Sequence, residues 1–161
     1  MLKSLVFTLL LLSVVAFAEE VAENVGMEET ADPFADKPKL KIGILKEPSD
    51  DSSHRIGLGD TVSVHYRGKL VLESEEKVFD SSFERGQPFS FQIGARKVIP
   101  GMERCLYGAA VDEIRRCSIP AWLGYGEREV PGPDDTVLIP ANSDLVFDVM
   151  VVEIEPKPIE E

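Results

Sequence analysis

Two histidines, two cysteines and 29 acidic residues are the raw material this chain offers for chemistry. His65 alternates with Val64 and Tyr66, which puts it on the polar face of a strand. No serine or cysteine motif marks it as the base of a triad, so it reads as a solvated strand histidine. No histidine–carboxylate cluster has metal-ligand spacing, so no metal and no cofactor are expected. Gly57-Leu58-Gly59 precedes a strand rather than a helix and lacks a third glycine, so it is no phosphate loop. What remains is Lys77 to Met102, KVFDSSFERGQPFSFQIGARKVIPGM. It holds Phe79 and Phe89, an Asp80–Arg85 pair five residues apart, and Val98-Ile99-Pro100-Gly101. Aromatic side chains with few convergent polar groups are the signature of a binding pocket. Phe91 reads as core.

The elements that must carry this stretch follow from periodicity. Leu40, Ile42 and Ile44 alternate with Lys39, Lys41 and Gly43, giving a first strand. Thr61 to Leu72 is the clearest strand, with Val62, Val64 and Tyr66 on one face. Val78 and Phe79 begin a strand that Asp80-Ser81-Ser82 interrupts, and alternation resumes over Phe89–Ile93. Pro100 suits the first turn of a helix, which runs to Tyr107 and stops at Gly108. Ile114–Ile119 and Asp144–Ile154 are strands, and residues 121–140 form a long Gly- and Pro-rich loop between them. The count is five strands and one short helix, an α+β pattern. A single sheet with one helix to cover it must curve around that helix.

The 161 residues suit one domain with a leader and tails. Residues 1–18 have Lys3, an apolar run and Ala16-Phe17-Ala18 before Glu19, the layout of a cleaved signal peptide. The run is short against the roughly 20 apolar residues of a membrane span, and no later stretch is apolar enough to cross a bilayer. Residues 19–38 carry seven acids and one lysine and read as a disordered linker. They are followed by a domain at 39–155 and a tail at 156–161. The net charge of −12 repels phosphate backbones, which excludes nucleic acid as a partner. Cys105 and Cys117 would meet an oxidising lumen behind such a leader. A disulfide between them and a pair of buried thiols both fit the sequence. The C-terminal Pro-Ile-Glu-Glu is no KDEL-like signal, so the endoplasmic reticulum lumen and secretion both stand as destinations.

Several short stretches, taken in order, carry a resemblance. Val64-His65-Tyr66-Arg67-Gly68, Phe79-Asp80-Ser81-Ser82, Val98-Ile99-Pro100-Gly101, Leu123-Gly124-Tyr125-Gly126, Ile139-Pro140-Ala141 and Leu145-Val146-Phe147-Asp148-Val149 together resemble the FKBP-type peptidyl-prolyl cis-trans isomerases. The resemblance spans about Leu40 to Glu155. It implies a strongly curved antiparallel five-stranded sheet wrapped around one short helix. It also implies catalysed rotation about X-Pro bonds in proline-containing polypeptide clients, by a monomer that needs no cofactor, and binding of macrolides of the rapamycin type.

Carried over by residue, the resemblance implies a pocket of Tyr66, Phe79, Asp80, Arg85, Phe89, Val98, Ile99, Tyr125, Ile139 and Phe147. Phe79, Phe89 and Phe147 would wall the prolyl ring. The Ile99 N–H and the Tyr125 hydroxyl would hold substrate carbonyls, and Asp80 would be a polar edge ordered by Tyr66 and Arg85. Two departures stand out. Met102 occupies the floor position where the family usually has tryptophan, which implies weaker activity and weaker macrolide binding. The loop from Glu127 to Leu138 is long and acidic, with Asp134 and Asp135. It reads as a solvated insertion ahead of a selector for basic flanks.

Overall fold

The structure is a computed structural model that describes residues 34–50, 52–73 and 75–158. The leader, most of the acidic linker and the last three residues of the tail lie outside the described residues. The chain divides into two units, 1–37 and 38–161. Of the first, only a turn closed by the Lys37 N–H donating to the Phe34 carbonyl is described. All that follows concerns the second unit.

Among the described residues, eight strands and one α-helix follow in order: β1 (Lys41–Lys46), β2 (Thr61–Val71), β3 (Glu76–Ser81), β4 (Phe89–Gln92), α1 (Pro100–Leu106), β5 (Ile114–Ile119), β6 (Val130–Pro131), β7 (Val137–Ile139) and β8 (Leu145–Glu155). The main sheet is antiparallel, in the order β1-β5-β8-β2-β3, with β4 also paired to β2. It holds six strands where five were expected, for a simple reason. β3 pairs Arg67–Val71 and β4 pairs Thr61–Val64, so the two lie one after the other along a single edge of β2. The sheet is six strands in number and five across.

Alternation decides which side of the sheet is filled. In β2 and β8, Val62, Val64, Leu145, Phe147, Val149 and Val151 are buried. Met102, Cys105 and Leu106 of α1 join the same core. Proline at the first helical position and Ile99 in extended conformation before it start the helix there. Gly101 brings α1 close to β5, because a Cβ at this position would overlap the Ile119 side chain.

The far end of α1 is held by a buried ion pair. Arg115 donates to Glu113 at 2.5 Å and to the carbonyls of Cys105 and Tyr107 at 2.6 and 3.0 Å. It thereby satisfies carbonyls that a helix end leaves without intrahelical donors. Cys105 and Cys117 are joined by a disulfide that ties α1 to β5 across a Cα separation of 6.0 Å. The 121–140 segment is not one open loop. It contains a 3-10 turn at Ala121–Leu123, then β6 and β7 paired as a small hairpin around a second 3-10 turn at Pro133–Asp135. Among the described residues no helix is long and apolar enough to cross a membrane.

Candidate functional site

The aromatic side chains meet because of one irregularity in the sheet. Neighbours on a regular strand point to opposite faces, so Phe79 and Asp80 cannot both face one space in an unbroken β3. The pairing shows why they do. Gly68 is opposite Asp80 but Lys69 is opposite Val78, which leaves Phe79 as the extra residue of a bulge. Bulges re-aim side chains in this way. Phe79 and Asp80 accordingly line the same cavity.

That cavity measures about 180 Å³. β2 contributes Val64 and Tyr66, β4 contributes Phe89 and Phe91, and β8 contributes Phe147. Val98 and Ile99 enter just before α1, Met102 comes from its first turn, and Tyr125 from the segment after β5. The rings form a continuous wall. Phe79 meets Phe147 edge-on at 5.7 Å between centroids, Tyr66 lies 6.0 Å from Phe147 and 6.2 Å from Phe89, and Phe89 stacks on Phe91 at 5.4 Å. Offset and edge-on contacts of this kind are the favourable ones.

Gly68 makes the wall possible. A Cβ there would lie 2.8 Å from both Phe147 Cε1 and Phe79 Cζ, so any larger residue would displace two rings. The positions of the expected site residues differ from the expectation at three points. Ile139 is in the core and pairs with Val130, and it does not line the cavity. Arg85 stands outside the lining and acts on it through Asp80 and Tyr66. Phe91 is only 5% exposed, as a core residue should be, but it also lines the cavity. Its i, i+2 spacing from Phe89 carried that signal. None of the described residues 127–138 lines the cavity.

The polar edge is a closed triangle. The Tyr66 hydroxyl and Arg85 each donate to one oxygen of the Asp80 carboxylate, and Arg85 Nη2 also donates to the Tyr66 oxygen at 2.8 Å. Partial burial pushes the Asp80 carboxyl up, but the Tyr66 hydroxyl and the Arg85 guanidinium more than offset it. The carboxyl sits below its ordinary range. Burial, reinforced by Asp80, pushes the Tyr66 phenol up. The same two causes raise Tyr125. Both phenols therefore remain neutral donors at physiological pH. The Ile99 N–H, at the cavity wall, has no acceptor among the described residues.

His65 is not simply solvated. Its Nδ1 is 3.1 Å from the Ser82 hydroxyl and its ring stacks on Phe83 at 4.7 Å. Two acids also depart from a surface role. Glu113 is buried with Arg115, and Asp60 is buried while accepting from the N–H groups of Gly57 and Lys157 and pairing with His54. Among the described residues no group of three or more His, Cys, Asp or Glu side chains is placed to hold a metal ion.

Comparison with known proteins gives this site a family. Residues 53–152 match the sequence model of the FKBP-type peptidyl-prolyl cis-trans isomerases. The chain is 40% identical over 136 residues to peptidyl-prolyl cis-trans isomerase FKBP15-2 of Arabidopsis thaliana, covering 83% of this chain and 77% of that protein. It is 46% identical over 117 residues to peptidyl-prolyl cis-trans isomerase FPR2 of Saccharomyces cerevisiae, covering 72% and 82%. Among solved structures, the crystal structure of AtFKBP13 superposes with a TM-score of 0.61 at 30% identity, covering 71% of this chain and 91% of that one. With that fold, that cavity and these relatives, the chain belongs to the FKBP-type peptidyl-prolyl cis-trans isomerase family.

Proposed function

We propose that the chain accelerates rotation about X-Pro bonds of folding polypeptides by non-covalent binding in the aromatic cavity. The observation that carries this reading is the convergence of Tyr66, Phe79, Asp80, Phe89 and Phe147 on one space, with an open backbone donor at Ile99 beside it. The X-Pro bond turns slowly because its C–N bond has double-bond character, with a barrier of about 18–20 kcal/mol. Nothing need attack it. Twisting the imide removes resonance and charge separation, so an apolar site favours the twisted state over the planar one.

In this scheme Phe79, Phe89 and Phe147 hold the prolyl ring and exclude water. The Ile99 N–H and the Tyr125 hydroxyl donate to the flanking carbonyls and fix the chain on one side of the rotating bond. Asp80, tied down by Tyr66 and Arg85, presents a fixed dipole at the cavity edge. The experiment is the cis/trans exchange rate of an X-Pro peptide with residues 19–161, beside Asp80→Val and Asp80→Val/Phe147→Ala. Acceleration that falls in the single variant and vanishes in the double is expected, with circular dichroism confirming that each is folded. No acceleration by folded wild-type protein would sink the reading.

One observation favours a second reading, a proline-segment binding module or chaperone with weak catalysis. Met102 lines the cavity floor, and a flexible thioether replaces a flat rigid ring. Peptide binding without rate acceleration distinguishes it. The same cavity would take a macrolide of the rapamycin type, at reduced affinity. For location we propose the lumen of the secretory pathway. The leader-like residues 1–18 and a disulfide between Cys105 and Cys117 support it, because disulfides persist in oxidising compartments. A fluorescent fusion placed after residue 161 that stays in the cytosol would refute it.

A further inference from the structure

A second, larger cavity of about 560 Å³ lies against the first. The two share Lys97, Val98, Ile99 and Tyr125 in their walls, so they are continuous. The character of the second is different. Arg96, Lys97, Arg104 and Arg128 line it, with Glu103 as its single carboxylate. One oxygen of Glu103 is already engaged, accepting the N–H groups of Gly94 and Arg96 at 3.2 Å each. Glu127 and Glu129 flank Arg128 in the chain but do not line the cavity.

The four cations are exposed, and none makes an ion pair among the described residues. Arg104 is nevertheless held in place, with its guanidinium 5.7 Å over the centre of the Trp122 ring. That ring is anchored in turn by its Nε1–H donating to the Pro38 carbonyl at 2.7 Å. On a chain of net charge −12, four cations around one concavity run against the overall field. A surface of that sign attracts and orients anionic groups. The acidic loop reads as a solvated insertion ahead of a selector for basic flanks, and the charge lining this groove is mainly positive.

We propose that this groove is a subsite for an acidic side chain of the client, aspartate or glutamate, within two residues of the X-Pro bond seated in the aromatic cavity. It rests on the isomerase reading for what occupies the first cavity. Because the two cavities share Lys97, Val98, Ile99 and Tyr125, a client leaving the aromatic cavity in that direction enters the groove that Arg104 and Arg128 also line. A carboxylate there exchanges water for a cluster of four cations, which the single carboxylate of Glu103 offsets only in part. The expected preference is modest, since each contact is solvent-exposed and screened by salt.

The test compares three proline peptides of equal length, one neutral, one with glutamate before the X-Pro bond and one with glutamate after it. Exchange rates give kcat/KM, and calorimetric titration gives Kd for the same peptides. At low ionic strength one acidic peptide is expected to be favoured roughly three- to tenfold over the neutral one. The preference should collapse at about 1 M salt, where the Debye length is about 3 Å. The double variant Arg104→Gln/Arg128→Gln should lose it while turning over the neutral peptide at the wild-type rate. Equal kcat/KM for all three peptides, with all accelerated, overturns the subsite and leaves the isomerase reading intact. If no peptide is accelerated, the isomerase reading fails. The Kd values then decide the subsite alone: an acid preference lost in the double variant supports it, and equal Kd values overturn it.

Discussion

Asp80 is where a single ionisation reaches the cavity. Its carboxyl lies below the ordinary range because Tyr66 and Arg85 outweigh the cost of burial. A group with a depressed folded pKa adds stability that is present above its unfolded value of about 3.9 and is lost as pH falls through the lower folded value. Activity and stability should therefore be flat from neutral pH down to about 4 on this account, with the Asp80-dependent part decaying only below that. A pH series of thermal unfolding for wild type and Asp80→Val would show it: the two curves should converge at the acid end and separate above. Met102 belongs to the same scale. It is 5% exposed, so Met102→Trp must fit a larger side chain into an occupied floor. Overpacking costs about 1–3 kcal/mol of stability. Nonetheless the variant should gain in X-Pro exchange rate and macrolide affinity, because the rigid surface it restores faces the ligand. A folded variant with neither gain would show that methionine is no handicap.

At the scale of elements, two close approaches bind the site to its scaffold. Gly68 on β2 faces Phe147 on β8 and lies under Phe79 on β3, so Gly68→Ala should tilt two cavity walls. About 1–3 kcal/mol of stability should go, and peptide exchange should fall further than global stability alone explains. Comparing exchange at a temperature where both proteins are fully folded separates the two effects. The Arg115–Glu113 pair works on the opposite end of α1. Arg115→Met leaves Glu113, 1% exposed, without its main partner. Removing one member of a buried pair commonly costs about 3–5 kcal/mol, which urea unfolding would register. β2 and β8 were legible in the sequence because their alternation is long and clean. The sheet order was not, because β8 enters between β5 and β2 and local periodicity carries no record of a distant partner. The bulge at Phe79 escaped for the same reason, since a bulge is defined by the strand opposite. Gly68 was visible as a motif residue, but its purpose depends on the rings of Phe79 on β3 and of Phe147, far away in sequence.

Across the whole molecule, the covalent tie between α1 and β5 adds to these contacts. A disulfide closing a loop with a sequence separation of 12 stabilises by about 2–4 kcal/mol. Cys105→Ala/Cys117→Ala, or reduction, should lower the unfolding free energy by that amount. The fold should survive, because Arg115 and the Gly101 contact still hold the helix. The basic groove was illegible for a different reason. Arg96, Lys97, Arg104 and Arg128 are scattered through 33 positions of a strongly acidic chain, and only the fold brings them together. The net charge of −12, a property of the whole chain, hid this local reversal of sign.

The broken edge of β2 has one more consequence. If the clients are the folding polypeptides proposed above, they bring unpaired strands with them, and a long straight sheet edge would invite those strands to add on. Here that side of the sheet is split between β3 and β4, with a register shift in the first and only four residues in the second. This interruption, with Phe79 and Asp80 of β3 and Phe89 of β4 lining the aromatic cavity, also denies a client a continuous template for pairing on this side. On the proposed reading, a client on this side would be met by side chains in a cleft and could leave again, instead of being annealed into the sheet.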